Sequence, residues 1–267
     1  MKKTSFGFKR QGNNFPQIAV AGFFVRGALM AAVAFGLFFA SSSAQAAMVI
    51  NGVNFTTVYD GNALPQNSTP AWLASGTNAS VNAGVLTINT TAAQSTYYTT
   101  GGATGWSPTT DGSTVEFGLQ VGSVASGATY TTSMSLYNGV KAYSLSFTDT
   151  GIVVSNSFGT FALDTTSDFV TYRFVLSANA LASQTASLYV NNSSTALFSG
   201  YAGGGDSKNN FIRFGDASGS AGGIAKYDYV AFTNAGAYVP VPEPATVGLA
   251  LLGLGIFAAR RRHQSVA

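Results

Sequence analysis

Phe169-Val170-Thr171-Tyr172-Arg173-Phe174-Val175-Leu176 decides the fold class. Val170, Tyr172, Phe174 and Leu176 recur at every second position, with Thr171 and Arg173 between them. A period of two places one set on each face of an extended strand. Outward from this stretch the same pattern repeats. Strands are expected at 55–59, 85–89, 96–100, 114–121, 130–137, 142–148, 151–155, 185–190, 196–199, 210–214 and 226–232. Gly, Asn, Asp and Ser punctuate them, as turns require. Asn138-Gly139 between two apolar runs is a hairpin signal. Asp149-Thr150-Gly151 and Asn191-Asn192 are further turns. The longest helical candidate in this region, Ser177 to Ser183, is one or two turns. Many strands with no substantial helix and no repeat of roughly 20–50 residues imply a sandwich or jelly roll rather than a propeller or solenoid.

Composition agrees. Charged residues make up 9% of the 267 residues, against an average of roughly 25%. Twenty Phe and twelve Tyr provide core material that disordered chains lack. The formal charge of +3 hides an asymmetry, because the basic residues gather at the two ends. Between Asp60 and Asp228 lie nine acidic and five basic residues (Lys141, Arg173, Lys208, Arg213 and Lys226), which excludes the clustered basic surface that nucleic acid needs. There is no cysteine, so neither disulfides nor thiolate chemistry can operate, and burial alone must hold the domain together.

The two ends read as addresses. Lys2, Lys3, Lys9, Arg10 and Arg26 precede an apolar run from Gly27 to Ala40. Ala44-Gln45-Ala46 then supplies a small-x-small site for signal peptidase, with Ala47 as the first mature residue. Residues 1–46 are therefore expected to be a signal peptide containing a signal helix. At the other end, Pro240, Pro242 and Pro244 stiffen an extended stretch. Ala245 to Ala259 follow without a charge, as one short transmembrane helix. At 1.5 Å per residue it measures about 22 Å, less than a hydrocarbon core of about 30 Å. Arg260-Arg261-Arg262 would hold its end on the cytoplasmic side of the membrane. A rigid peptide beside the membrane enters a processing cleft at little ordering cost.

Pro242-Glu243-Pro244, the apolar helix and Arg260 to Arg262 together resemble the PEP-CTERM sorting signal of Gram-negative bacteria. The resemblance implies recognition of residues 239–267 by an exosortase and delivery to the cell surface or extracellular matrix. Pro242, Glu243 and Pro244 would then be recognition residues rather than catalytic ones. Residues 47–238 bear a looser resemblance to a concanavalin A-like, laminin-G-type jelly-roll sandwich. It is carried by Asp60-Gly61 with Ala71-Trp72, by Gly84 to Ile88, and by Thr114 to Phe117 after Trp106. Later stretches also fit: Thr171 to Arg173, Ala186 to Asn191, Phe211 to Asp216 and Tyr227 to Val230.

The candidate chemistry is narrow. The one histidine, His263, lies beyond the arginine cluster, so no Ser-His-Asp arrangement can form in the sandwich. Glycoside hydrolysis ordinarily takes two carboxylates, and Glu116 is the single glutamate of this region. Its alternation with Val115 and Phe117 places it on a solvent-facing side, paired with Arg173 or Arg213. The sandwich resemblance implies a calcium ion held by Asp60, Asp216 and Asp228, against the plainer reading of ordinary turn residues. Aromatic rings for sugar stacking are offered by Tyr201, Trp72, Trp106, Tyr97 and Tyr98. The tryptophans are expected in or near the core, and Tyr201 exposed in the loop Gly200 to Gly205. The glycines at 203–205 lack the Lys-Ser/Thr and helix of a phosphate loop. The sequence thus favours a non-enzymatic, exported polysaccharide-binding domain. A glycan-active enzyme on the same fold and a self-associating structural protein are the alternatives.

Overall fold

The computed structural model describes residues 48–91, 94–100, 104–205 and 209–241. The signal segment with Ala44, Ala46 and Ala47 lies outside the described residues, as do Pro242, Glu243, Pro244, the 245–259 segment and Arg260 to Arg262. Among the described residues no helix is long and apolar enough to cross a membrane.

Seventeen strands are described. In chain order they are β1 (Met48–Ile50), β2 (Val53–Phe55), β3 (Thr57–Tyr59), β4 (Leu73–Ser75), β5 (Ala79–Asn82), β6 (Val85–Thr90), β7 (Thr96–Thr99), β8 (Ser113–Val124) and β9 (Thr132–Asn138). There follow β10 (Ala142–Thr148), β11 (Gly151–Val154), β12 (Gly159–Ala162), β13 (Val170–Leu176), β14 (Ala186–Val190), β15 (Phe198–Tyr201), β16 (Asn210–Asp216) and β17 (Gly223–Thr233). One sheet runs β12-β11-β10-β9-β16-β7-β4. The other runs β15-β14-β13-β8-β17-β6-β5, with β3 also paired to β17. Every strand pairing is antiparallel. The result is an all-β jelly-roll sandwich.

The core fills the space between the sheets. Val115, Phe117, Leu119 and Val121 of β8 point inward, as do Tyr172, Phe174 and Leu176 of β13. Met134, Leu136, Leu145 and Phe147 meet them from the other sheet. Phe147 packs edge-on against both Phe117 and Tyr172, with centroids 5.8 and 5.1 Å away. Such tilted aromatic pairs add about 0.5–1.5 kcal/mol each beyond their area burial.

All twelve expected strands have a counterpart. The stretch 55–59 is split between β2 and β3, and 196–199 moves to Phe198–Tyr201. Four strands were not expected: β1, β4, β5 and β12. The last three are edge strands of three or four residues, half of them Ala, Ser or Gly. They carry too little apolar alternation to register as a pattern. The helical candidate at 177–183 shrinks to a 3-10 turn at Leu181–Ser183. Asn191 and Asn192 take φ of 50° and 56°, the left-handed conformation that asparagine tolerates.

Glu116 departs from expectation. It faces away from the sandwich core yet is 0% exposed. The β1–β2 hairpin closes over it, its Val53 and Phe55 packing with Val58 and Ala231 in a second apolar cluster. The hairpin turns at Asn51-Gly52, with φ of 48° and 78°. That turn delivers the Asn51 amide to Glu116 Oε1 at 2.8 Å. Tyr229 donates to the same oxygen at 2.9 Å, and Arg173 Nε to Oε2 at 2.6 Å. The expected Arg173 partner is therefore present, but the pair is buried.

Asp216 is also 0% exposed. It ends β16, accepting from Thr90 Oγ1 at 2.6 Å and from the Ser218 amide at 3.3 Å. Burial raises its pKa above the ordinary carboxylate value, although these hydrogen bonds pull the other way.

Two outcomes are expected. Glu116→Ala leaves Arg173 charged and buried without a counter-ion, and should cost about 3–5 kcal/mol in urea unfolding. A loss under about 1 kcal/mol would show that water reaches the pair. A carboxyl with a raised folded pKa contributes stability that is complete below its unfolded pKa and lost as pH rises through the folded one. Asp216→Asn should therefore gain on the wild type in thermal unfolding as pH rises above the ordinary carboxylate value of about 4. A constant deficit for the asparagine variant at every pH would show that the Thr90 bond, not the charge, decides.

Candidate functional site

The outer face of the seven-stranded sheet is the candidate site. Inward-pointing Tyr98, Phe214, Met134, Leu136, Leu145, Phe147 and Ile152 are core residues, so alternation turns their neighbours outward. Strand register sorts these into rows. Ser75, Tyr97, Gly215, Ser133, Ser146, Val153 and Thr160 face one another in turn across all seven strands. Six strand spacings make this row roughly 28 Å long. A second row runs Leu73, Thr99, Arg213, Ser135 and Ser144. A third holds Phe211, Tyr137 and Ala142.

The face has a floor and a raised end. Gly215 contributes no side chain, and at φ 113° an added Cβ would fall 2.6 Å from the Thr96 carbonyl oxygen. Ser133 and Ser135 beside it are 6% and 1% exposed although they face outward, so taller neighbours close over them. Ser133 donates to the Gly215 carbonyl at 3.1 Å, and Ser144 to Ser135 Oγ at 2.9 Å. The taller neighbours are aromatic. Tyr137 and Phe211 stack with centroids 3.9 Å apart and planes at 30°. The Arg213 guanidinium carbon sits 5.6 Å from the Tyr137 centroid and 5.8 Å from that of Tyr97, within cation–π range. Arg213 Nη2 donates to the Tyr137 hydroxyl at 3.0 Å. At the far end an open depression of about 430 Å³ follows the β11–β12 hairpin, with Val153, Asn156 and Thr160 in its lining. The strands of this sheet carry one carboxylate, Asp216, which is turned inside. Their chemistry is ring faces, hydroxyls and one guanidinium.

Of the rings singled out from the sequence, only Tyr97 belongs to this face. Trp72 is 2% exposed and packs edge-on against Phe214 at 5.2 Å. Trp106 is 5% exposed, and its indole N–H donates to the Tyr137 carbonyl at 2.9 Å. It supports the site from below rather than lining it. Tyr98 is core. Tyr201 corrects the expectation of an exposed loop residue: it closes β15 and is 1% exposed. Phe198 and Phe158 pack around it, and its hydroxyl accepts from Asn156 at 3.3 Å. Burial raises its pKa. Tyr137, Phe211 and Arg213 were not singled out as ligand residues. A hint existed in Tyr137 and Phe211 standing on either side of the expected alternation, each one residue from an inward Leu136 or Ile212.

The three aspartates do not assemble a calcium site. Asp60 is exposed, and its carboxylate accepts from the Asn62 backbone and side-chain amides. Asp216 is buried against Thr90, and Asp228 is exposed on β17 beside a bulge. No group of three His, Cys, Asp or Glu side chains suited to a metal ion occurs among the described residues. Glu116, enclosed by Asn51, Tyr229 and Arg173, has no second carboxylate in its hydrogen-bonding shell.

No curated protein matches the sequence. Among solved structures, the chain is similar to a carbohydrate esterase from the Shiga toxin-encoding bacteriophage phi24B, at 16% identity and a TM-score of 0.47 over 68% of this chain and 98% of that one. It is similar to an endo-1,3-beta-glucanase from Streptomyces sioyaensis, at 14% identity and a TM-score of 0.44 over 67% and 95% of the two chains. It is also similar to the carbohydrate recognition domain of Emp46p in a potassium-bound form, at 9% identity and a TM-score of 0.44 over 68% and 100%. Residues 240–262 match the family model of the PEP-CTERM protein-sorting motif. The chain thus carries a PEP-CTERM protein-sorting motif at residues 240–262, after an all-β sandwich.

Proposed function

We propose that the sandwich is a non-catalytic domain that binds polysaccharide at the cell surface or in the extracellular matrix, through the outer face of its seven-stranded sheet. The observation that carries this reading is the cluster of Tyr97, Arg213, Tyr137 and Phe211 beside the half-buried outward hydroxyls of Thr99, Ser144 and Ser146. Sugar rings present C–H faces and hydroxyl edges. Aromatic rings stack on the first, and short hydroxyl side chains and a guanidinium bond to the second. The one carboxylate on these strands, Asp216, is buried and turned away, which supports binding over hydrolysis. Hydroxyl-rich, weakly charged surfaces also suit a hydrated glycan gel.

The sorting motif supports the route. Signal peptidase would cut between Ala46 and Ala47, the tail would hold the protein in the inner membrane transiently, and an exosortase would cut near Pro242-Glu243-Pro244.

Affinity electrophoresis of the secreted protein through gels containing a panel of polysaccharides tests the binding. Retardation is expected for the wild type. Tyr137→Ala and Phe211→Ala should each weaken it by about 1 kcal/mol, roughly fivefold, with an unchanged circular dichroism spectrum. Retardation by none of the panel, together with concentration-dependent assembly, would replace this reading by a structural one. Release of reducing ends from a retained polysaccharide would replace it by an enzymatic one. For the route, mass spectrometry of the mature protein should find Ala47 at its N-terminus and no Arg260 to Arg262. A mature form that keeps those arginines would overturn the processing.

A further inference from the structure

We propose that the glycan taken by this face is anionic, a polysaccharide bearing carboxylates such as uronate residues, and that Arg213 selects it; the inference rests on the polysaccharide-binding reading above. The two described arginines of the sandwich make the argument by contrast. Arg173 stands on the outer face of one sheet, with its Nε 2.6 Å from Glu116 Oε2 and a second bond to the Asn51 carbonyl at 3.1 Å. Arg213 stands on the outer face of the other sheet with no acidic partner among the described residues. Of its five N–H donors, only one on Nη2 has a partner there, the Tyr137 hydroxyl. Its Nε is buried and unbonded.

That arrangement is costly within the folded protein alone. A half-buried guanidinium with an orphaned N–H loses hydration that no carboxylate repays. The rings of Tyr97 and Tyr137 hold it in place without neutralising it. It is the sole charged side chain directed outward by the strands of this sheet, and Lys141 adds a second positive charge in the turn between β9 and β10. Neutral sugars would be served by the Ser and Thr hydroxyls of the face. A fixed planar fork of donors matches a carboxylate, which accepts two parallel hydrogen bonds from it. The ring platform of Tyr137 and Phe211 alongside would take the sugar that carries the carboxylate.

The test compares the secreted protein with its Arg213→Gln and Arg213→Lys variants in gels containing polygalacturonate, alginate or neutral dextran and galactan. The wild type should be retarded about tenfold more strongly by the two acidic polymers than by the neutral ones, and this preference should shrink as salt rises. R213Q should lose the preference and be retarded alike by acidic and neutral polymers. R213K, which retains charge but not the fork, should lose at least about threefold on the acidic polymers. It carries the test alone if R213Q fails to fold. Equal retention of the wild type by acidic and neutral polymers would overturn the inference and leave the binding reading standing. So would a preference unchanged in R213Q or, where that variant does not fold, in R213K. Retention by neither class would overturn both.

Discussion

The contact on which this fold most depends is the buried pair of Glu116 and Arg173. Two charges have been taken from water, at 0% and 3% side-chain exposure. Their 2.6 Å contact offsets that cost with the help of further hydrogen bonds to both groups. Asn51 and Tyr229 complete the Glu116 carboxylate, and the Asn51 carbonyl takes Arg173 Nη2. These residues come from β8, β13, β17 and the turn after β1. The pair therefore requires four separated segments to be in register at once. A slip of one residue between β8 and β13 would turn Glu116 into the core and Phe117 out of it, because side chains alternate with a period of two. An apolar substitute at both positions would tolerate such slips better. The pair's contribution is accordingly to specificity of register as much as to stability.

The same pair explains why the two sheets have different fates. The eight-stranded sheet spends the β1–β2 hairpin covering its outer face, and Val53, Phe55 and Ala231 form a second core there. Among the described residues no element plays that part for Arg213 and its rings on the seven-stranded sheet. Its outward residues are small or aromatic, and its one outward charge meets rings instead of a carboxylate. The sandwich thus neutralises one outward arginine and holds the other between rings without neutralising it.

Much of this was legible in the sequence where alternation is strict. Val170 to Phe174 and Ala142 to Thr148 alternate apolar with polar or small residues, and each lies in a strand, Val170–Leu176 and Ala142–Thr148. Leu73–Ser75 and Gly159–Ala162 were not legible, since a sheet edge asks for backbone pairing and little side-chain burial. Glu116 misled because alternation gives the face of a strand but not what lies over that face. The hairpin that buries it is 65 residues away in sequence. Tyr201 misled for the opposite reason: its glycine-rich surroundings signal a loop, yet those glycines let the chain fold close. Gly203 approaches the Tyr143 ring so nearly that a Cβ would fall 2.7 Å from it. The site rings were ambiguous because Tyr137 and Phe211 sit in strands where either parity is aromatic or aliphatic. Only the pairing of β9 with β16 places them together. The sorting motif was legible, since its information is linear and needs no fold.

Strand β8 also holds both ends of the described sandwich. The Asn51 turn, close behind the N-terminal segment, fastens to β8 through Glu116. The chain leaving β17 fastens to the same strand two residues earlier: Thr114 Oγ1 donates to the Gly236 carbonyl at 2.9 Å and accepts from the Tyr238 amide at 2.8 Å. Both ends of the sandwich are thus tied to adjacent positions of one twelve-residue strand whose inward side chains are fully buried. With cuts after Ala46 and near Pro242, each tie lies inside the retained chain. Fraying at either terminus would have to pass a hydrogen bond to β8 before reaching the core, and β8 is paired along its length with β17 and β13. The described sandwich, from a chain without disulfides, thus keeps both its ends closed by hydrogen bonds to its most buried strand.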